Sequence, residues 1–328
     1  MGSPSSDDLF GPARPTPGYA ALNRDYVPPA LEPDVRRQPI VRHLVLFVAT
    51  LLMTTVIGAQ HYAGFLGSGA VVPTGWALYQ HGLWYSAAVL GILGAHEMGH
   101  YLACRYYRID ASLPYFLPAP LLAGTLGAFI RIRQPIPNKR ELFDIGIAGP
   151  IAGFLVAIPV LFIGVSLSTL FKVPTTGEVW IFGEPLLLKG IIWLVWGTRD
   201  AGFDLNIHPV AIAGWFGLVA TLLNLFPFGQ LDGGHISYAV LGRRSTQVSY
   251  ATILCFLALS VVSMSWMVWT CMMLVMMFFF GPHHPRTHDE DMPLDSGRLW
   301  LAGFAVVMFV LCFTPVPVTF VELGAAKP

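Results

Sequence analysis

Ala95-His96-Glu97-Met98-Gly99-His100-Tyr101 sits inside an apolar run, Leu83 to Cys104, that is long enough to cross a membrane. Hydrocarbon offers nothing to solvate a carboxylate or an imidazolium, so ionisable clusters at that depth mark function. On a helix, His96 and His100 are four residues apart and share one face. That spacing suits two imidazoles on one zinc, with Glu97 beside them as a general base. The run is therefore expected to be a helix that carries half of a metal site.

The composition agrees with a membrane setting. The 328 residues are 55% hydrophobic and only 12% charged, against about 25% charged in an ordinary soluble domain. The expected fold class is an all-α polytopic membrane protein with about seven transmembrane helices and a re-entrant β-hairpin-like loop after the second. Formal net charge is zero, so nothing argues for nucleic acid. Four cysteines without a C-x-x-C pair suggest neither a disulfide framework nor a zinc ribbon.

Outward from the opening stretch, residues 61–82 read as a mixed connecting loop, and Leu44 to Gln60 as the first span. Residues 1–41 read as a flexible cytoplasmic tail ending in Arg36, Arg37 and Arg42, with no cleavable signal peptide. The transmembrane domain is expected over 42–315, with its core at 83–240, and a short tail over 316–328.

On the other side, Leu113-Pro-Tyr-Phe-Leu-Pro-Ala-Pro is apolar but rich in proline, so it cannot be a regular helix. Gly124 to Arg133 then alternates like a strand. Non-helical backbone at membrane depth needs protein or a wet cavity beside it, so this hairpin is expected to lie over the site. The third span is expected from Ile145 to Phe171 and begins Ala148-Gly-Pro-Ile-Ala-Gly153, small residues that allow close packing. Leu186–Trp196 is short and contains Lys189, which fits an interfacial helix. A fourth span runs from Pro209 to Phe228. Residues 247–280 fit two spans hinged near Ser263–Ser265, and Trp300–Pro315 fits a last one.

Arginines and lysines near the span ends fall on one side if the N-terminus is cytoplasmic. Two histidines need a third protein ligand for a catalytic zinc. Cys104 is eight residues from His96, or roughly 12 Å along a helix, too far for one ion. Glu178 and Glu184 fall on the far side of the membrane. Asp232 follows the fourth span and ends on the same face as His96 and His100, with Gly233-Gly234 behind it to let the backbone turn or approach closely. Asn224, in the same segment, is placed to bind a substrate backbone or an oxyanion, and Pro227 kinks the helix. The expected chemistry is peptide hydrolysis by metal-activated water, with Glu97 taking the proton.

His96-Glu97-Met98-Gly99-His100, then Ala148-Gly149-Pro150-Ile151-Ala152-Gly153, then Asn224-Leu-Phe-Pro-Phe-Gly-Gln-Leu-Asp232-Gly-Gly resemble the site-2 protease family of intramembrane zinc metalloproteases. The resemblance implies that His96, His100 and Asp232 bind one zinc ion per chain and that Glu97 is the catalytic base. It also implies a role for Asn224 at the substrate or oxyanion, and a re-entrant β-loop over 113–133. In that loop, Gly124, Thr125 and Gly127 would present the substrate. Such enzymes cut a transmembrane helix of a client membrane protein within the lipid bilayer. Residues 172–208 are too few for a PDZ domain, and no regulatory domain is expected after the last span, so the chain resembles the compact form. A bacterial inner membrane is the expected location, with N-terminus and active site toward the cytoplasm.

Plainer readings stand beside these. His235, three residues past Asp232, reads as a neighbour of the site rather than a ligand. Asp144 reads as a cap of the third span, and His283, His284 and His288 as a solvated loop. Two other functions stay open: a non-proteolytic metal-binding sensor or transporter, and a prenyl-processing type of hydrolase with a glutamate third ligand.

Overall fold

The computed structural model describes residues 40–67, 71–172, 177–198, 203–281, 287–289 and 292–323. The expected tail lies outside these up to residue 39, as do His283 and His284.

The first helix, α1 (Ile40–Leu66), and the second, α2 (Trp76–Tyr106), extend well into the 61–82 stretch expected to be a loop. Glycine, proline and histidine there suggested a break. The observed connection is shorter, from Gly67, at φ 77°, to Gly75, at φ 60°. Two strands follow, β1 (Tyr115–Pro118) and β2 (Thr125–Phe129), paired antiparallel from Tyr115 opposite Phe129. Gly124, at φ 77°, closes the turn between them. α3 (Lys139–Ser166) absorbs Pro150 and Pro159 without ending. β3 (Thr169–Lys172) and β4 (Gly177–Phe182) lead to α4 (Leu186–Trp196), and β5 (Phe203–Asn206) to α5 (Pro209–Leu225). α6 (Asp232–Leu241) passes through a single 3-10 turn into α7 (Ser245–Val262). α8 (Met264–Phe280) and α9 (Ser296–Cys312) complete the helices, and β6 (Val318–Leu323), within the expected tail, pairs with β4.

Among the described residues, three helical stretches are long and apolar enough to cross a membrane: Ile40–Leu66, Lys139–Ser166 and the continuous Asp232–Val262. Shorter apolar helices lie at Leu186–Trp196, Pro209–Leu225, Met264–Val275 and Ser296–Cys312. The chain is thus a mostly helical membrane protein. α7 and α8 are separated by Ser263 in extended conformation, within the hinge expected there, and its hydroxyl accepts from the Ser265 N–H.

The centre is α3 packed between α2 and α5. Phe143, Ile147, Phe154, Ala157 and Leu161 of α3 meet Ala211, Trp215, Leu218 and Leu222 of α5, all buried. Small residues let the backbones close up. A β-carbon at Gly164 would stand 2.2 Å from the Ala211 nitrogen, and one at Gly82 would stand 2.2 Å from the Thr55 carbonyl. Leu44, Leu52 and Val56 of α1 and Val261, Val268 and Phe278 of α7 and α8 point outward. Exposed apolar rows of this kind suit lipid rather than water.

The β1–β2 hairpin lies along α1. His43, near the start of α1, donates Nδ1–H to the Pro114 carbonyl at 3.1 Å and stacks on Tyr115. Gly124, in the turn, would meet Thr54 Cα at 2.8 Å if it had a β-carbon. His61, further along, donates to the Leu122 carbonyl at 2.8 Å. On α2, the Tyr85 hydroxyl donates to the Ala123 carbonyl at 3.0 Å.

Contacts sort the helix ends into two groups. At one end, Arg298 of α9 donates Nε–H to Asp144 of α3 at 2.9 Å, and the hydroxyl of Tyr107, which caps α2, donates to the same carboxylate. Lys139, at the start of α3, is buried, with Nζ on the Met292 carbonyl at 2.8 Å and its N–H on Asp289 at 2.7 Å. Asp144 therefore does not cap α3. The N-cap position is Asn138, and Asp144 ties three helices together. At the other end, Asn206 donates to the Phe65 carbonyl at 2.7 Å, and Trp266 of α8 donates to the Pro315 carbonyl at 2.7 Å. The β3–β5 and β4–β6 pairs lie at the exits of α3 and α9.

Candidate metal centre

α2 delivers His96, Glu97 and His100 to the interior, where they are 5%, 6% and 7% exposed. Asp232 comes from the first position of α6, where a carboxylate also faces the unpaired N–H groups of the first turn. Its Oδ2 is 3.1 Å from His96 Nε2 and its Oδ1 is 3.2 Å from His100 Nε2. The two Nε2 atoms are 3.2 Å apart. One donor atom from each of the three residues thus lies within 4.8 Å of the other two, the one such cluster among the described residues. Two imidazole nitrogens and a carboxylate facing one point fit a metal ion, with room for a further ligand.

The local sequence explains how the three are held. His100 donates Nδ1–H to the Ile145 carbonyl of α3 at 2.7 Å. That bond fixes the tautomer and leaves the Nε2 lone pair free to bind. Gly149 and Gly153 make room for the rings. A β-carbon at 149 would stand 2.1 Å from His100 Nε2, and one at 153 would stand 3.1 Å from His96 Cβ. Gly99 rests on the same helix, 2.4 Å from the Ala148 carbonyl by the same measure. The small-residue motif at 148–153 therefore cradles the imidazoles as well as packing helices.

Asp232 is brought back to α2 by the end of α5. α5 stops at Leu225, ahead of Pro227, and Gly229 adopts φ 51°. Gly233 and Gly234 press on the reversing backbone: β-carbons there would stand 2.1 Å from the Leu225 carbonyl and 2.3 Å from the Gly229 carbonyl. Asn224, in the last turn of α5, puts Nδ2 3.1 Å from His96 Nε2. His235 packs against α3, 2.9 Å from where a β-carbon of Gly146 would be, and is outside the donor cluster. Cys104 is fully buried with Ile109, Ala111 and Ile145.

Gly124, Thr125 and Gly127 shape the hairpin. The Thr125 hydroxyl donates to the Leu117 carbonyl at 2.7 Å and accepts from the Gly127 N–H at 3.0 Å, while Gly127 adopts φ 111°. Outside the spans, burial and the Asp144 carboxylate push the Tyr107 hydroxyl pKa upward. Sequence reasoning missed the Ile145 carbonyl, because a backbone group leaves no residue signature. Gly149 and Gly153 were visible only as small residues at helical spacing.

The chain matches peptidase family M50 over residues 84–265. "Probable zinc metalloprotease EGY1, chloroplastic" of Arabidopsis thaliana is 32% identical over 240 residues, 70% of this chain and 42% of that protein. "Probable zinc metalloprotease EGY2, chloroplastic" of Oryza sativa subsp. indica is 29% identical over 251 residues, 74% of this chain and 44% of its own length. The chain thus spans less than half the length of these curated relatives. No solved structure matches it. With more than half of its length matched and both halves of the donor set inside the matched region, the chain belongs to peptidase family M50, the site-2 protease family its motifs resemble.

Proposed function

We propose that the protein is an intramembrane zinc endopeptidase that cuts transmembrane segments of client membrane proteins. The observation that carries this is the convergence of His96, His100 and Asp232 beside the buried carboxylate of Glu97, from motifs 136 residues apart. The three donors would hold one zinc ion per chain, which supplies Lewis-acid polarisation of the client carbonyl and acidifies water. Glu97 stands next to the donors without being one of them, the position of a general base rather than a ligand. A sensor or transporter has no use for such a group. The carboxylate in the donor set is an aspartate, which speaks against the prenyl-processing type. Asn224 offers an amide to the client backbone or the developing oxyanion.

Seven crossings by α1, α2, α3, α5, α7, α8 and α9 are supported by the two groups of helix-end contacts. The end of α2 and the starts of α3 and α9 share Tyr107, Asp144 and Arg298. The hinge between α7 and α8 meets the exit of α9 through Trp266. A re-entrant hairpin is supported by its reach along α1 from His43 to His61, about 27 Å, close to the thickness of a hydrocarbon core. Basic residues at the Arg105, Arg131, Arg140 and Arg243 level favour a cytoplasmic site and N-terminus. A bacterial inner membrane accommodates this orientation.

A client must unwind locally, because helical hydrogen bonds shield its carbonyls. The free edge of β2 can take up the unwound segment as an added strand, with Gly124, Thr125 and Gly127 setting the shape of the presenting loop. Asp232→Ala is expected to lose bound zinc and cleavage together; full zinc retention would overturn the ligand assignment. Glu97→Gln should keep zinc and trap clients that co-purify from membranes. Proline at Thr125 or Ala128 should abolish cleavage with zinc intact, and unchanged cleavage would sink strand addition.

A further inference from the structure

α3 and α6 meet along a seam beside the metal donors. A β-carbon on Gly146 of α3 would stand 2.9 Å from His235 Cβ and 3.5 Å from the backbone carbonyl of Asp232 on α6. One residue earlier on α3, the Ile145 carbonyl accepts His100 Nδ1–H at 2.7 Å. α3 thus orients one donor while α6 carries another. A change in the spacing of the two helices moves Asp232 against His100.

The other end of this seam is bridged by the connection between α8 and α9, two helices that carry no donor. Thr287 is buried there, and its N–H donates to the hydroxyl of Tyr238 on α6 at 3.2 Å. The N–H of His288 donates to the Pro137 carbonyl, just ahead of α3, at 2.9 Å. Asp289 Oδ1 accepts the Lys139 N–H at 2.7 Å, and the Met292 carbonyl accepts from Lys139 Nζ at 2.8 Å. The Lys139 N–H belongs to the first turn of α3, where backbone donors have no partner within the helix. Asn138, at the N-cap position, makes no capping bond and donates to Glu141 at 2.8 Å instead. α3 is therefore capped from a distance, by a carboxylate that suits the positive end of a helix. Consecutive residues 287–289 reach α6, the approach to α3 and α3 itself. Leu294, buried in the main core, anchors the connection on the α9 side.

We propose that Thr287, His288 and Asp289 form a positioning strap that sets the α3–α6 spacing and so keeps Asp232 within reach of an ion held by His96 and His100. This rests on the proposed zinc reading of the three donors. Through the strap, α8 and α9 act on a metal centre to which they contribute no ligand.

The test uses the full-length chain in detergent, loaded with zinc or with Co2+. Asp289→Ala removes the remote cap, and Tyr238→Phe removes the acceptor on α6. Asp289→Asn keeps a capping oxygen. Arg298→Ala cuts a different tie between α9 and α3 and is the control. Asp289→Ala is expected to lower zinc affinity by about 10-fold in a chelator competition, as when the support of a ligand is lost. The visible absorption of its Co2+ form should weaken as the carboxylate draws away. Tyr238→Phe should act in the same direction, and it decides the matter alone if Asp289→Ala does not fold. Asp289→Asn should restore affinity and spectrum, and Arg298→Ala should change neither. Wild-type zinc affinity and an unaltered Co2+ spectrum in both Asp289→Ala and Tyr238→Phe would overturn the proposal, even with a lowered melting temperature. So would an equal loss of affinity in Arg298→Ala, which would show general loosening. If Asp232→Ala keeps wild-type zinc affinity, the zinc reading itself fails.

Discussion

α2 carries imidazoles at both ends, and they do opposite things. At its start, His81 lies flat on Tyr62, with ring centroids 3.8 Å apart and planes at 5°. Nearby, His208 accepts the Val210 N–H at 3.2 Å and caps α5, edge-on to Phe65. His61 spends its Nε2–H on a carbonyl of the hairpin turn. There, ring faces are covered by aromatics and nitrogens are used on backbone. Near the other end, His96 and His100 turn their Nε2 edges toward one another and toward Asp232. His96 and His100 are buried, whereas His61, His81 and His208 are half-buried, but burial alone does not decide what the rings do. The difference is made by neighbours without chemistry of their own: a carbonyl that fixes one nitrogen and glycines that clear space for the other.

That contrast can be broken at several points. The largest effect is expected at Glu97, which has no counterpart at the histidine-rich far end. Glu97→Gln should lower kcat by about 10³-fold while bound zinc, measured by atomic emission, is unchanged. Gly149→Ala puts a methyl group where His100 Nε2 stands, and zinc affinity should fall by about 10- to 100-fold, as when the support of a ligand is lost. A competition titration with a chelator reads this, and Gly91→Ala, where nothing lies within 4 Å, gives the baseline. Arg298→Ala leaves the partly buried Asp144 without its cation and should cost about 1–3 kcal/mol of stability in a thermal melt, with zinc affinity unchanged. The smallest effect belongs to the far end. Burial, with His81 nearby, lowers the His208 pKa to about 4. The folded state therefore refuses a proton that the unfolded state takes near pH 6.5. The stability contributed by neutral His208 is full above that pH and lost as pH falls toward 4. His208→Asn, which caps a helix without titrating, should flatten the pH dependence of the melting temperature in that window.

Much of this was legible because ionisable residues in an apolar run are costly and therefore few. His96, Glu97 and His100 stood out for that reason, and end-of-span parity singled out Asp232. The proline spacing of 114–120 and the alternation of 124–133 located the hairpin. Helix boundaries were harder. His61 and His81 seemed to mark a loop, yet aromatic stacking and backbone bonds let both lie within helices. Asp144 read as a cap because its partner, Arg298, is 154 residues away. α6 was missed because Gly233-Gly234 disfavours a helix locally, while contact with the end of α5 requires a residue without a side chain there.

The donors are split between α2 and α6, on either side of all that is made between residues 107 and 231. A membrane protein is synthesised and inserted from its N-terminus. Until Asp232 has left the ribosome and α6 has folded back onto α5, the growing chain holds two histidines and a carboxylate but lacks its third donor. On the proposed function, the nascent chain would therefore spare its own unfolded segments, and its neighbours in the insertion machinery, for most of its synthesis. Two separately made fragments, divided in the 197–203 connection, should be inert alone and regain zinc binding when co-inserted.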